Sequence, residues 1–405
     1  MSREVPEGWK QQMLSELIKL TPGWPFKSNR FTQDPQEGRP LVRIRDLNDQ
    51  APVVFTPEEC DDRYLISDGD YLIGMDGEFT AVKWSGPAAL LNQRVLKIAS
   101  SDLRLDGNFL FYRIQPELSN IEARTGATTV KHLSTKDILS LQLLLPPLNE
   151  QLRIAEILSS VDGAIAATRA VIEQTRKVKQ GVLEHLLTKG IGHTRFKQTV
   201  IGEIPEAWQI KPLSAFGKIH TGKTPSTSNE AYWDGDIPFL TPGDLRDTSA
   251  FVSSWNRSVS DEAARLGRIM PAGAVTVTCI GSTIGKTGIL QNPAMTNQQM
   301  NTICCTTDAS PFVYEVCVSL RSHLQSISGK QAVPIVNKST FETIMVAYPP
   351  FDEQIEISRI ALEFHEALAK HEEALRELLS VKSALMSDLL TGRKRVTDTL
   401  PIAAE

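Results

Sequence analysis

The stretch Leu145-Pro146-Pro147-Leu148-Asn149-Glu150-Gln151 returns later in the chain as Tyr348-Pro349-Pro350-Phe351-Asp352-Glu353-Gln354. At the same spacing, Leu186-Leu187-Thr188 returns as Leu389-Leu390-Thr391. The period is much longer than the roughly 20–50 residues of solenoid and propeller repeats. A chain of 405 residues is long enough for two domains with full cores. The sequence therefore predicts two copies of a whole globular domain, each followed by a long helix.

A heptad pattern follows each Pro-Pro motif. The positions that form this pattern, called the heptad seam, are Ile154, Leu158, Val161, Ile165, Thr168, Ile172, Thr175, Lys179, Val182 and Leu186 in the first helix, and Ile357, Ala361, Phe364, Leu368, His371, Leu375, Leu378, Lys382, Leu385 and Leu389 in the second. Steps of four and three over more than four heptads are typical of a coiled coil. Because neither seam could stay exposed to water, we expect the two helices to pack antiparallel against each other.

Capping residues set the expected ends of these helices. Asn149 and Asp352 are candidate N-caps, and Gly190 and Gly392 are candidate C-caps. Each helix would have roughly 38 residues and a length of about 57 Å.

The two globular halves share short anchors and differ almost everywhere else. Candidate strands are residues 41–44, 70–73 and 94–98 in the first half and 237–240, 274–277 and 300–303 in the second. The shared anchors are Asp46-Leu47 and Asp244-Leu245, Gly69 and Gly273, and Asn92-Gln93 and Asn297-Gln298. The predicted fold is α/β (α+β), with two similar globular domains separated by two long antiparallel helices in pseudo-two-fold symmetry. The predicted boundaries are 1–148, 149–190, 191–347 and 348–405.

Composition limits the class of protein. Hydrophobic residues make up 41% and charged residues 22%, as in ordinary soluble globular proteins. The sequence contains no apolar run of the length that a membrane span needs, and the five cysteines form no Cys-x-x-Cys pair, so we expect reduced thiols in a cytoplasmic protein. An internally duplicated chain suits a two-fold partner such as duplex DNA. The net charge of −5 counts mildly against DNA, unless cations cluster on one face or another subunit contacts the phosphates.

Two stretches resemble catalytic motifs but depart from them. The stretch Gly281-Ser282-Thr283-Ile284-Gly285-Lys286-Thr287 ends like a Walker A loop, yet its glycines are too close together and Ile280 stands where the first glycine belongs. A hairpin tip is favoured over a nucleotide-binding loop. The second stretch, at Tyr348, resembles the (Asp/Asn)-Pro-Pro-aromatic motif of adenine-N6 methyltransferases. Tyrosine cannot supply the short carbonyl acceptor that this motif uses for a flipped base.

No catalytic or metal-binding constellation stands out elsewhere in the sequence. The seven histidines share no ligand spacing, and no Ser/His/Asp set is apparent. We therefore expect a non-catalytic recognition protein without a cofactor or a metal.

Side chains with base-edge chemistry lie on glycine-punctuated loops in both halves. Asn and Gln can pair with adenine, Arg and Lys with guanine, and Glu with cytosine. The candidate DNA-binding residues are Arg43, Arg45, Glu78, Phe79, Lys83, Trp84, Asn92, Gln93, Arg94, Arg246, Ser282, Thr283, Lys286, Thr287, Asn297 and Gln298. Because Asn-Gln occurs at the same place in both halves, it is either a turn-stabilising pair or a base reader. Residues that differ between the halves are better candidates for base readers.

The order and duplication of these motifs resemble the specificity subunit of a type I restriction-modification enzyme, over essentially the whole chain. The resemblance implies two target recognition domains, 1–148 and 191–347, that each read one half of a split DNA site. It also implies that the helices set the spacer and dock modification subunits, two of them by expectation, and that restriction/translocase subunits are further partners. Partner subunits would perform methylation and cleavage. The alternatives are a specificity chain of a methyltransferase-only system, a nucleotide-binding enzyme that uses the Gly281 loop, and a structural adaptor for protein partners.

Overall fold

The computed structural model describes residues 5–125, 131–329 and 333–396. Its helices are α1 (Gly107–Arg124), α2 (Thr135–Leu139), α3 (Leu148–Lys189), α4 (Asp261–Leu266), α5 (Ser310–Ser319), α6 (Arg321–Ile327), α7 (Lys338–Glu342) and α8 (Phe351–Leu389). Its strands are β1 (Lys10–Met13), β2 (Ile18–Pro22), β3 (Arg39–Val42), β4 (Phe55–Thr56), β5 (Leu65–Ile66), β6 (Tyr71–Gly74), β7 (Ala81–Lys83), β8 (Ala89–Leu91), β9 (Val95–Ser100), β10 (Gln142–Leu145), β11 (Phe196–Thr199), β12 (Gly202–Pro205), β13 (Gln209–Pro212), β14 (Gly217–Thr221), β15 (Trp233–Leu240), β16 (Phe251–Val252), β17 (Arg257–Val259), β18 (Val275–Thr278), β19 (Thr287–Leu290), β20 (Met295–Thr296), β21 (Met300–Cys305) and β22 (Met345–Tyr348).

The chain divides into two compact units, and each long helix contributes to both. Unit 1 contains residues 1–166 and 376–405, and unit 2 contains residues 167–375. Each unit thus holds one globular domain, one end of α3 and one end of α8. The predicted α+β class and the duplication are confirmed.

Unit 1 is built on two four-stranded sheets. One has the strand order β2-β9-β6-β7 and is antiparallel throughout, and the other has the order β4-β3-β8-β5. In the second sheet, β3 and β8 run parallel, with Leu41 opposite Leu90 and Val42 opposite Leu91. Helix α1 covers the first sheet, because its buried Phe109 and Leu110 join one apolar core with the strands.

Unit 2 repeats this plan with different lengths. Its larger sheet has the order β14-β21-β18-β19-β16, which begins with the same connectivity as β2-β9-β6-β7. In the smaller sheet, β17-β15-β20, strands β15 and β20 run parallel as β3 and β8 do. Helix α5 packs on the larger sheet through the buried residues Phe312 and Val313. The six strands predicted from the sequence are all present, with ends shifted by a few residues.

The long helices begin slightly earlier than the capping residues predict. They start at Leu148 and Phe351, so the prediction that Asn149 and Asp352 are N-caps is wrong, and both residues lie in the first turn. Gly190 directly follows α3 with a φ of +67°, as expected for a C-cap glycine, and Gly392 has a φ of +70° just beyond α8. The glycine conformation is needed at both places because φ lies in the left-handed region.

The heptad seam is turned away from solvent along both helices, since no seam residue is exposed. In unit 1, Lys382 forms an ion pair with Asp162, with Nζ and Oδ1 2.6 Å apart. In unit 2, Arg176 pairs with Glu372 at 2.7 Å, and Lys179 Nζ lies 3.1 Å from His365 Nε2. From Arg176 to Lys179 along α3, the partner residue on α8 changes from Glu372 to His365, which lies earlier in the chain. The helices therefore pair antiparallel within unit 2.

The repeated Glu-Gln motif anchors each domain to the start of a long helix. In unit 1, the side chain of Gln151 is 1% exposed and its amide donates to the carbonyl of Pro146. The Glu150 carboxylate accepts hydrogen bonds from the Trp9 indole at 3.2 Å and from Arg395 at 2.7 and 2.9 Å. A Pro-Glu-x-Trp motif also occurs twice, as Pro6-Glu7-Gly8-Trp9 and Pro205-Glu206-Ala207-Trp208, and this contact explains why it recurs together with Pro-Pro-x-x-Glu-Gln.

Unit 2 makes the equivalent contacts. Gln354 donates to the carbonyl of Pro349 at 2.9 Å. Glu353 accepts from the indole of Trp208 at 2.8 Å and lies 2.9 Å from His193 Nε2. His193 therefore takes the place that Arg395 has in unit 1.

Candidate nucleic-acid interface

Each domain contains a hairpin whose connecting loop carries a glycine with a positive φ. In unit 1, β6 and β7 pair antiparallel, and Gly77 at the tip has a φ of +77° and donates to the carbonyl of Lys131. In unit 2, β18 and β19 pair antiparallel, and Gly281 has a φ of +95° and donates to the carbonyl of Pro334. The stretch with Walker-like spacing is thus a hairpin tip, and the nucleotide-binding alternative is not favoured.

The Asn-Gln turn lies beside the end of the parallel strand pair in both units. Asn92 is 7% exposed and accepts from the backbone N–H of Arg94, and Asn297 is 8% exposed and accepts from the backbone N–H of Gln299. Gln93 follows Asn92 with an exposed side chain, as Gln298 follows Asn297. The asparagines therefore stabilise the turn, and the outward residues carry the chemistry that differs between units.

Burial moves three further candidates into the interior. Trp84 is fully buried and its indole donates to the carbonyl of Pro87 at 2.9 Å, while Phe79 is 3% exposed and belongs to the main core of unit 1. Thr287 is 5% exposed, and its hydroxyl donates to the carbonyl of Gly285. This burial favours a packing role for the three side chains, and their contact with DNA stays a prediction.

The loop after the first parallel strand is held by a buried aspartate in each unit. Asp46 is 3% exposed and accepts from both the backbone N–H and the Nε of Arg43. Asp244 accepts from the backbone N–H and the hydroxyl of Thr241. The Nε of Arg43 is therefore engaged within its own loop, whereas its buried Nη2 has no hydrogen-bond partner among the described residues.

The arginines beyond these loops face outward. Arg45 and Arg246 are exposed; Arg45 directly precedes the buried Asp46, and Arg246 lies two residues after the buried Asp244. They are the cations of these loops that remain accessible to a ligand.

In unit 1, Arg94 reaches the hairpin tip. Its Nη1 lies 2.9 Å from Oδ2 and 3.2 Å from Oδ1 of Asp76, whose Oδ1 also lies 2.6 Å from His132 Nδ1. Exposed Glu78 follows on the same tip. This set combines a fixed guanidinium with acidic acceptors, a combination that suits base edges better than phosphates.

Lys83 lies at the other end of the same hairpin. Its Nζ is 3.4 Å from Asn108 Oδ1, which also accepts the hydroxyl of Tyr71 at 2.6 Å. Burial raises the pKa of Tyr71 to about 12, so this phenol stays a neutral donor. Lys83 is exposed and held loosely.

In unit 2, the hairpin tip is uncharged apart from Lys286. Ser282 is exposed and Thr283 half-buried, and Lys286 Nζ donates to the carbonyl of Leu245 at 3.3 Å. The amide oxygen of Gln298 accepts from the hydroxyl of Thr224. Hydroxyls with a single cation suit contacts to a phosphate backbone.

Two outward residues escaped the sequence reasoning. Trp24 and Lys223 occupy equivalent backbone positions, because the N–H of Trp24 donates to the carbonyl of Leu91 and that of Lys223 to Thr296. Trp24 is 39% exposed beside the Asn-Gln turn. Gln299, which the sequence already places beside Asn297 and Gln298, is the counterpart of Arg94 in the aligned turns.

Other classes of site receive no support from the described parts of the chain. Within residues 5–125, 131–329 and 333–396, no group of three His, Cys, Asp or Glu side chains could hold a metal ion. In the same residues, no helix is long and apolar enough to cross a membrane. Burial raises the pKa of Cys279 and of Cys305 to about 11, so both thiols stay protonated near neutral pH.

Taken together, the fold and the surface describe a duplicated recognition chain, in which one scaffold presents two different sets of outward side chains. The family model described as type I restriction modification DNA specificity domain matches residues 6–175 and 205–379. The chain therefore belongs to this family and carries its domain twice.

Relatives and solved structures agree with this assignment. The type I restriction enzyme MjaVIII specificity subunit of Methanocaldococcus jannaschii is 24% identical over an alignment 405 residues long. This alignment includes 97% of this chain and 94% of that protein. The EcoBI specificity subunit of Escherichia coli is 34% identical over 188 residues, 45% of this chain and 40% of its own length. The crystal structure of a type I restriction-modification system S subunit from M. genitalium has a similar fold, with a TM-score of 0.64 at 15% identity over 96% of this chain and 98% of that one.

Proposed function

We propose that this chain is the DNA sequence-specificity subunit of a type I restriction-modification system, in which each globular domain reads one half of a split target. The observation that carries the proposal is the repeated scaffold with different outward chemistry. Hairpin tip, Asn-Gln turn and aspartate-held loop recur in both units, whereas unit 1 presents exposed Arg94 and Glu78 where unit 2 presents half-buried Gln299 and exposed Ser282. Two readers on one scaffold serve two unlike half-sites.

The chain acts through partners and has no catalysis of its own in this proposal. Modification subunits, two of them by our expectation, and restriction/translocase subunits supply methylation and cleavage, in the cytoplasm where the DNA lies. The long helices support such docking, because they present exposed apolar residues outside the heptad seam, with Leu152 and Val381 both 48% exposed in unit 1 and Val171 and Val178 both 44% exposed in unit 2. Apolar side chains exposed in this way are a common feature of surfaces that bind protein partners.

The weak overall charge fits this division of labour. The net charge is −5, and Arg94 is paired with a carboxylate on the reading surface. Sequence-independent affinity for DNA comes from cations that neutralise phosphates. We therefore expect modification subunits to supply much of the affinity and this chain to supply the choice of sequence.

Exchange of one domain tests the proposal. Residues 1–148 are replaced by the corresponding domain of another specificity subunit with a known target, and the methylated sites are mapped in cells that express the hybrid with its modification subunits. We expect one half-site to change and the other to remain. The reciprocal exchange of 191–347 is the matched control and should change the other half-site. Alteration of both half-sites by a single exchange, or an absence of sequence preference in the parent complex, would contradict the proposal.

A further inference from the structure

We infer that the third residue of each Asn-Gln turn is a base reader, with Arg94 recognising a guanine in one half-site and Gln299 recognising an adenine in the other. This inference rests on the proposed function and adds to it the two residues and the bases they choose.

The two residues occupy the same place in the scaffold. The carbonyl of Arg94 accepts the N–H of Met75 at 3.0 Å, and the carbonyl of Gln299 accepts the N–H of Cys279 at 2.7 Å. The N–H of each residue donates to the asparagine side chain of its turn. The backbone N–H and the backbone carbonyl of both residues are thus fixed in the same way, and only the side chain differs between the domains.

Arg94 is held in an orientation that suits a guanine. One of its terminal nitrogens, Nη1, contacts both carboxylate oxygens of Asp76, and within the described residues no hydrogen bond uses Nε or Nη2. The side chain is 53% exposed, so these remaining donors are accessible. A guanidinium edge that offers two parallel donors matches O6 and N7 of guanine. Asp76 offsets the positive charge, which makes a role in general phosphate binding less effective.

His132 completes this arrangement. Its Nδ1 lies 2.6 Å from Asp76 Oδ1, so the carboxylate is fixed from two sides and in turn fixes Arg94. The bridge between Asp76 and His132 in unit 1 corresponds to a bridge between Ile280 and Ile335 in unit 2. The charged support for an arginine is therefore present only in the domain that has the arginine.

Gln299 is held in an orientation that suits an adenine. The side-chain N–H of Asn297 donates to Gln299 Oε1 at 2.9 Å, which fixes the plane of the glutamine amide. Oε1 keeps a second lone pair and Nε2 keeps its donors. An amide with one acceptor and one donor side by side matches N6 and N7 of adenine. Gln299 is half-buried beside the hairpin tip, so its amide can reach only a DNA groove that lies close against this surface.

The test uses the full chain in complex with its modification subunits and selects bound duplexes from a randomised library. Arg94→Gln should change the preference at one base pair of one half-site, and Gln299→Arg at one base pair of the other. A good bidentate contact is worth roughly 5- to 150-fold in discrimination, and we expect a loss of that order for the original base. All other positions of the target should be read as in the parent complex.

Two further variants separate positioning from folding. Asp76→Asn should relax the same base pair as Arg94→Gln, because Asp76 orients the guanidinium without contacting the base. Arg94→Lys keeps the charge but not the planar fork, and should also relax that base pair. A purely structural role would lower stability in these variants without changing base choice.

Matched controls come from the same chain. Arg104 is 56% exposed and pairs with Asp102 at 2.9 Å, so Arg104→Gln removes a similar arginine from a similar ion pair. Gln198 is exposed on the hairpin formed by β11 and β12, and Gln198→Arg repeats the second exchange there. Neither control should alter base choice.

The outcomes distinguish this inference from the function on which it rests. If the parent complex selects a split sequence and both exchanges leave every preferred base unchanged, or weaken all sequences alike, the inference is overturned and the function stands. If the parent complex selects no sequence, the proposed function itself fails. A change confined to one base pair per variant, in different half-sites, supports both.

Discussion

Replacing Arg395 by alanine should loosen the contact that ties the segment after α8 to the first domain. Arg395 donates three hydrogen bonds, two to the Glu150 carboxylate at 2.7 and 2.9 Å and one to the carbonyl of Glu7 at 2.9 Å. The Glu150 side chain is 7% exposed, so the substitution leaves a nearly buried carboxylate with the Trp9 indole as its remaining donor in the described structure.

The magnitude follows from the burial of the two partners. Removing one member of a fully buried ion pair costs about 3–5 kcal/mol, because the other charge stays buried without compensation. The Arg395 side chain is 31% exposed, so water can enter the vacated space and repay part of this cost. We therefore expect local destabilisation of about 2–3 kcal/mol.

Hydrogen exchange measured by mass spectrometry is the suitable assay, because the chain has two units and global unfolding need not be two-state. A loss of 2–3 kcal/mol corresponds to roughly 30- to 150-fold faster exchange by local opening. The effect should appear in peptides around Trp9 and the start of α3. Peptides around Trp208 serve as an internal reference, because the equivalent contact with Glu353 is untouched.

Two variants complete the experiment. Arg393 is exposed two residues earlier and donates to the Ser387 hydroxyl at 3.2 Å, so Arg393→Ala is the matched control and should leave exchange nearly unchanged. Glu150→Gln combined with Arg395→Ala removes the unpaired charge and should recover part of the loss. Equal exchange in the Arg395→Ala and Arg393→Ala proteins would refute the reasoning.

Three further predictions address the corrected core residue, the cation of the second hairpin and a buried ion pair. Trp84→Ala should destabilise unit 1 by about 3–5 kcal/mol in denaturant unfolding, because the ring is fully buried. Base choice should not change in complexes that remain folded. A change in the preferred DNA sequence would indicate that Trp84 contributes to base recognition. Lys286→Ala should weaken binding to all duplexes alike and reduce the salt dependence by about one unit, as for a phosphate contact; relaxation at one base pair would contradict this. Glu315→Gln should destabilise unit 2 by about 3 kcal/mol, because the 4% exposed carboxylate pairs with Lys179 at 3.3 Å and with His365 at 2.6 Å. An unchanged free energy of unfolding would show that water compensates the charge of Lys179 when the carboxylate is lost.

Repetition made much of the architecture readable from the sequence. The heptad seam and the strands depend on periodic patterns that local residue order carries, and the structure has them close to the expected positions. The doubled Asn-Gln turn was also visible, but its role was not. Only the burial of Asn92 and Asn297 separates the turn-stabilising residues from the exposed glutamines that follow them.

The candidate site was harder to predict because it depends on contacts between distant segments. Trp84 follows a short strand within a polar loop, and nothing nearby in sequence shows that its indole turns inward to the carbonyl of Pro87. The set formed by Arg94, Asp76 and His132 joins three separate segments, because an isolated bridge links Asp76 at the hairpin tip to His132 just before α2. Such a set becomes visible only when the register of the strands is known.

The duplication also provides an internal comparison between positions that support the fold and positions that read the ligand. Glu150 and Glu353 keep both the residue and the contact, each accepting a tryptophan indole. Such positions belong to the scaffold, because a change in either copy would cost the same contact.

A second group of positions keeps the contact while two of its three members change. In unit 1, Asp162 accepts from the hydroxyl of Tyr112 at 2.8 Å and pairs with Lys382. The corresponding trio in unit 2 is Glu315, His365 and Lys179, whose contacts lie at 2.6 to 3.3 Å. The lysine is constant and its two partners change together, as expected where a half-buried charge must be compensated in each copy.

Arg94 and Gln299 differ from both groups. Their backbone contacts are the same, yet their side chains have different charge and are oriented by different neighbours, Asp76 in one unit and Asn297 in the other. Compensation of a shared structural need cannot explain this, because no side-chain contact within the domain is preserved by the exchange. At this position the backbone is kept, but the side chain and the residue that orients it both change. A requirement from outside the domain, such as a different base in each half-site, accounts for this combination.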